Sequence, residues 1–119
     1  MIKMTEENLQ WIELCDWVAI NIFNYDCKTQ HLKRESNLIL RGLQRGQRIA
    51  NNKHKKQCDY PCNVILMTFK ANKIVIQNAI KGKIFESERN KMLYICAIVR
   101  DKIDDIYKRY LNAQKTHNV

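Results

Sequence analysis

The sequence predicts an all-α fold, a compact bundle of four to five helices, and three observations carry that reading. Only three glycines and one proline punctuate 119 residues, which favours a few long helices over many short strands. Apolar residues recur at spacings of three and four over most of the chain. A length of this order makes one domain, residues 1–119, able to bury a core without disulfides, with 112–119 expected to fray.

The first helix is expected from Thr5, whose hydroxyl can cap free amides while Glu6 and Glu7 meet the positive end of the dipole, to about Asn24. Trp11, Cys15, Val18 and Ile22 form one stripe, with Ala19 beside it. Trp17 and Ile20 lie off that stripe. The helix is therefore either central to the core or covered by a partner that Trp17 and Ile20 would anchor.

A second helix is expected over residues 30–50, with Asp26 or Thr29 near its cap. At ~100° per residue, Arg34, Arg45 and Arg48 fall within about 40° of Arg41, while Ile39, Leu43, Gly46 and Ala50 take the opposite side. Gly42 and Gly46 imply close packing, a kink, or an early helix end near Gly46. The polar connection "NNKHKKQCDYP" follows, and Pro61 opens a new element. "CNVILMTFKAN" and "KIVIQNAIKG" read as two short helices hinged near Asn72 and stopped by Gly82. The β-branched "KIVIQ" would also suit a strand, although no hairpin partner is visible.

In the last helix, capped by Ser87, a core stripe runs through Met92, Cys96, Val99, Ile103, Ile106 and Tyr110. The first and last helices are expected to form the core, with the 30–56 segment displayed on their flank. Asp101, Asp104 and Asp105 alternate with Arg100, Lys102, Lys108 and Arg109, a pattern of solvated ion pairs rather than a magnesium site.

The net charge of +9 is concentrated in one place. Residues 1–27 carry one lysine against five acids, whereas residues 28–56 carry nine lysines and arginines against Glu35 alone. A local positive field of this kind is the footprint of a phosphate-rich partner. Arg34, Arg41, Arg45 and Arg48 on the helix, with Lys53, Lys55 and Lys56 beyond it, are the expected contacts to a nucleic-acid backbone. Gln44, Gln47, Asn51 and Asn52 are interleaved and could reach base edges.

Other classes fit poorly. The N-terminus "MIKMTEENLQ" is polar, and the longest apolar runs fall far short of the ~20 residues a membrane span needs, so a cytoplasmic protein with no membrane partner is expected. Five cysteines, three of them in apolar or helical patterns, point to reduced thiols. Cys27 with His31, and His54 with Cys58 and Cys62, have spacings that zinc would tolerate. They lack a C-x-x-C knuckle, and no metal or other cofactor is expected. No phosphate loop, G-x-S-x-G, H-E-x-x-H or kinase-like set is present, so the chain reads as a non-enzyme.

The succession "LRGLQRGQRIANNK", "YPCNVILMTFK" and "IFESERNKMLYICAIVRDKIDDIYKR" resembles small helical proteins from replication regions of phages and mobile elements of low-GC Gram-positive bacteria. The resemblance spans roughly residues 32–110 and supplies no catalytic residues. It implies an accessory role in DNA replication, through direct DNA contact or docking on a polymerase, primase or helicase. The contrasting class is a protein-interaction module, such as a replication-enzyme subunit or a phage-type inhibitor, that grips an acidic partner with the basic face.

Overall fold

The computed structural model describes residues 5–26, 28–47, 49–50, 53 and 58–117, with the side chains of 116 and 117 excepted. Among the described residues five helices follow in order: α1 (Glu6–Asn21), α2 (Arg34–Arg45), α3 (Cys62–Ala71), α4 (Lys73–Ile80) and α5 (Glu88–His117). The fold is all-α, and among the described residues "KIVIQ" is helical rather than extended.

Local chemistry sets most of the boundaries. Thr5 Oγ1 accepts the Asn8 amide at 3.2 Å, and Ser87 Oγ accepts the Asn90 amide at 3.1 Å, so both expected caps form. Gly46 ends α2 in the left-handed conformation at φ 70°, and the Gln47 amide returns to the Gly42 carbonyl. The early stop near Gly46 is thus the outcome, and the Ala50 amide donates to Leu38 O, alongside α2. Asn72, at φ −112° and ψ 16°, separates α3 from α4. Gly82, at φ 77°, lies just beyond the end of α4.

Two expectations needed correction. The second helix starts at Arg34 rather than near residue 30, because the preceding chain closes its own turn. Asp26 there accepts the Lys28 amide on its side chain and the Thr29 and Gln30 amides on its carbonyl. The core is not a pairing of the first and last helices, since α1 packs chiefly on α3, and α5 packs on α2 and α3. The short helix α3 is central because Cys62, Val64, Ile65, Leu66, Thr68 and Phe69 leave it apolar around most of its girth.

Cross-helix contacts give the directions. Trp11 meets Arg41 and Cys15 meets Asn37, so α1 and α2 run oppositely. Glu88 meets Ser36 and Arg100 meets Gln47, so α2 and α5 run the same way. Thr68, buried in α3, returns its hydroxyl to the Val64 carbonyl at 2.8 Å. The radius of gyration, 14.8 Å, slightly exceeds the ~13.5 Å typical of this length. The excess reflects α5, which at ~1.5 Å per residue runs about 45 Å and is helical to His117, well into the stretch expected to fray.

Candidate nucleic-acid interface

Helix α2 carries the described arginines of the expected set, Arg34, Arg41 and Arg45. Ile39, Leu40 and Leu43 are buried in the core, which fixes which side of α2 can face outward. Arg34 is exposed in the first turn. Arg41 is half-buried, its guanidinium stacked 3.8 Å from the Trp11 ring centroid and donating to Gln44 Oε1 at 3.0 Å. Arg45 is also half-buried, and its Nε is enclosed with no acceptor. Lys53 is exposed, whereas Arg48, Lys55 and Lys56 lie outside the described residues. Among the described residues no ion pair engages Arg34, Arg41 or Arg45.

The edge gains residues that helical periodicity did not single out. The Cys58 and Tyr60 amides donate to the carbonyls of Arg45 and Gln44, closing the C-terminus of α2 with the returning chain. This brings Tyr60 against Tyr107, edge to face at 5.1 Å, and Tyr107 in turn stacks on Tyr110. Arg100 reaches Gln47 O at 3.5 Å, adding a cation from α5. Burial, with Cys58 and Asp104 nearby, pushes the Tyr60 phenol up to about 12, so it stays neutral and donates to Asp104. The "Y" of "DYP" was visible in the sequence; its pairing with a helix some 45 residues later had no local signal.

At the other end of α2, Glu88 gathers three donors: Tyr25 Oη at 2.7 Å, the Lys33 amide at 2.8 Å and Ser36 Oγ. Burial pushes this carboxyl up, but the hydrogen bonds from Ser36, Tyr25 and Lys33 outweigh it and hold the carboxyl below its ordinary value. It stands at the first residue of α5 and beside the first turn of α2, so both helix dipoles favour its charge.

Trp17 packs on Phe69 with ring centroids 6.3 Å apart and is half-buried between α1 and α3, while Ile20 is exposed. His31 lines a cleft of about 210 Å³ with Trp11, Cys15 and Asn37. Burial pushes the Cys15 thiol up to about 12, so near neutral pH it is a protonated donor to Asn37 Oδ1 rather than a nucleophile. Cys58 donates to Gln44 O, Cys62 is buried, and Cys27 and His54 lie outside the described residues. Among the described residues no three metal-ligating side chains converge. No described helix is long and apolar enough to cross a membrane.

These features define a small all-α protein with a basic edge built on α2. Residues 2–119 match the model of the family described as SPbeta prophage protein YorH, and the chain belongs to that family. It is thus a phage-associated protein, as the resemblance implied. Comparison with curated proteins and with solved structures finds no match.

Proposed function

We propose that this chain is a non-catalytic nucleic-acid-binding protein that supports DNA replication of a phage or mobile element. The observation that carries the reading is the segregation of charge. Nine lysines and arginines against one acid fall in residues 28–56, and the described arginines of that segment have no carboxylate partner among the described residues. Arg34, Arg41 and Arg45 serve as phosphate contacts along α2, with Arg48, Lys53, Lys55 and Lys56 continuing the track. The Trp11 ring holds the Arg41 guanidinium in place, so little side-chain freedom is lost on binding.

Fluorescence-anisotropy titration of labelled DNA across salt concentrations tests this. Four to seven neutralised phosphates give a log–log slope of about −3.5 to −6 on duplex, and replacing Arg41 and Arg45 together by alanine shrinks it by about two units. Losing the Trp11 contact costs the double variant about 1–2 kcal/mol, leaving it folded. A slope that does not change removes these arginines from the interface.

A second reading has its own observation. Leu9, Ile12 and Ile20 are exposed on the outer face of α1, beside Glu13 and Asp16. That face suits a protein partner, such as a polymerase, primase or helicase to which the chain would be a subunit or an inhibitor. Under this reading, Ile20→Asp abolishes co-purification of the partner and leaves the DNA salt slope untouched.

A further inference from the structure

The bundle end remote from the Arg41–Trp11 contact holds a cleft of about 450 Å³, between the end of α1, α4 and the first turns of α5. Its volume falls within the ~300–1,000 Å³ usual for small-molecule sites. Its polar lining consists of four amide side chains, Asn21, Asn24, Gln77 and Asn78, and two ammonium groups, Lys81 and Lys91, with no carboxylate among the described residues. Ile22 and Ile80 supply the apolar part of the wall.

Several of these groups are held in place. Asn21 Nδ2 donates to Trp17 O at 3.0 Å, and Gln77 Nε2 donates to Asn21 O at 3.1 Å, which orients both amides and leaves their oxygens to accept from a ligand. Asn24 sits at φ 58°, a left-handed conformation that asparagine tolerates better than most residues. Lys91 is half-buried, its ammonium 4.8 Å from the Phe23 ring centroid. Burial lowers its pKa, and no carboxylate offsets that effect. A partly desolvated ammonium without a counter-ion is a destabilising arrangement that a bound anion would relieve.

We propose that this cleft binds a nucleoside phosphate, with the phosphate on Lys81 and Lys91 and the base or sugar on the amides of Asn21, Asn24, Gln77 and Asn78. A bare anion would use the lysines and leave the amide acceptors idle. Amides offer donor and acceptor side by side, the pattern that base edges and sugar hydroxyls answer. Ile80, partly exposed, supplies an apolar surface for the flat face of a base, whereas Ile22 lies behind it in the core. The site shares no residue with the α2 edge, so it stands or falls separately from the proposed DNA contacts.

The test is a two-dimensional NMR titration of the full chain with adenosine and thymidine monophosphates, adenosine, inorganic phosphate and a 5′-phosphorylated dinucleotide. The monophosphates are expected to shift the side-chain amide signals of Asn21, Asn24, Gln77 and Asn78. Affinity should fall about tenfold or more in Lys91→Met and in the exposed Lys81→Gln, the loss of one charge-assisted hydrogen bond, and stay unchanged in Lys115→Gln, an exposed lysine of α5 outside the cleft. Adenosine and inorganic phosphate should each bind at least about tenfold more weakly. Tighter binding of the dinucleotide assigns the site to a strand, and equal binding to a free nucleotide; both support the proposal. Amide signals that do not move, binding that survives both lysine variants, or inorganic phosphate binding as tightly as the monophosphates would each overturn it.

Discussion

Glu88 ties together three parts of the chain that are distant in sequence: the turn after α1 through Tyr25, the start of α2 through Lys33 and Ser36, and its own helix. Hydrogen bonds to an ionised group contribute about 1.5–3 kcal/mol each before compensation, so Glu88→Gln should cost about 2–3 kcal/mol in urea unfolding. The pH dependence has a definite sign. The folded carboxyl titrates below its unfolded value, so the unfolded chain binds the proton first as pH falls. Glu88's contribution is complete above the unfolded carboxylate range near ~4.3 and is lost as pH falls through the lower folded value. Tyr25 acts at the opposite limb. Burial and Glu88 push its phenol up to about 12, so its contribution holds below an unfolded pKa of about 10 and disappears as pH rises towards 12. Glu88→Gln should flatten the acid limb, and a variant with unaltered acid dependence would show that the latch carries no linked proton.

At the scale of elements, the periodicity of α5 and its Ser87 cap were legible because each depends on neighbours within four residues. The same holds for the α3–α4 hinge and for Gly82. A Cβ built on Gly82 meets nothing within 4 Å, so the requirement for glycine there is its φ of 77° and not space. Gly82→Ala should therefore cost about 1–2 kcal/mol, and Gly82→Asn distinctly less, read as shifts in Tm. Equal losses would point to a crowding that the open surroundings do not contain. The start of α2 was not legible, because it is tied down by Glu88, 55 positions from Lys33, which accepts the N-cap Lys33 amide and the Ser36 hydroxyl. The candidate site was legible only in part. Spacing alone put the arginines on one side of α2, but Trp11 beneath Arg41 and the returning Tyr60 are products of tertiary packing that no helical spacing encodes. The amide cleft was not legible for the same reason, since its six polar residues come from three helices and the two turns after α1 and α4.

For the whole molecule, charge and packing pull against each other. The core is organised about α3, where Phe69 is fully buried under Trp17, yet the sequence carries eight net positive charges on the 29 residues from Lys28 to Lys56. Like charges held on a folded surface repel more than on an extended chain, which costs the free protein stability. Salt shortens the Debye length from about 14 Å at 0.05 M to about 6 Å at 0.3 M, which screens repulsion between exposed like charges. The free chain's Tm should therefore rise over that interval, while the DNA binding proposed above should weaken steeply through counterion release. Opposite responses to the same variable would identify the basic segment as a surface whose charge costs the free fold stability and is compensated when the proposed nucleic acid binds. A Tm that falls with salt would mean that attractive pairs, such as Asp104–Lys108 and Asp105–Arg109, outweigh the repulsion, and the basic segment would then be electrostatically satisfied within the fold.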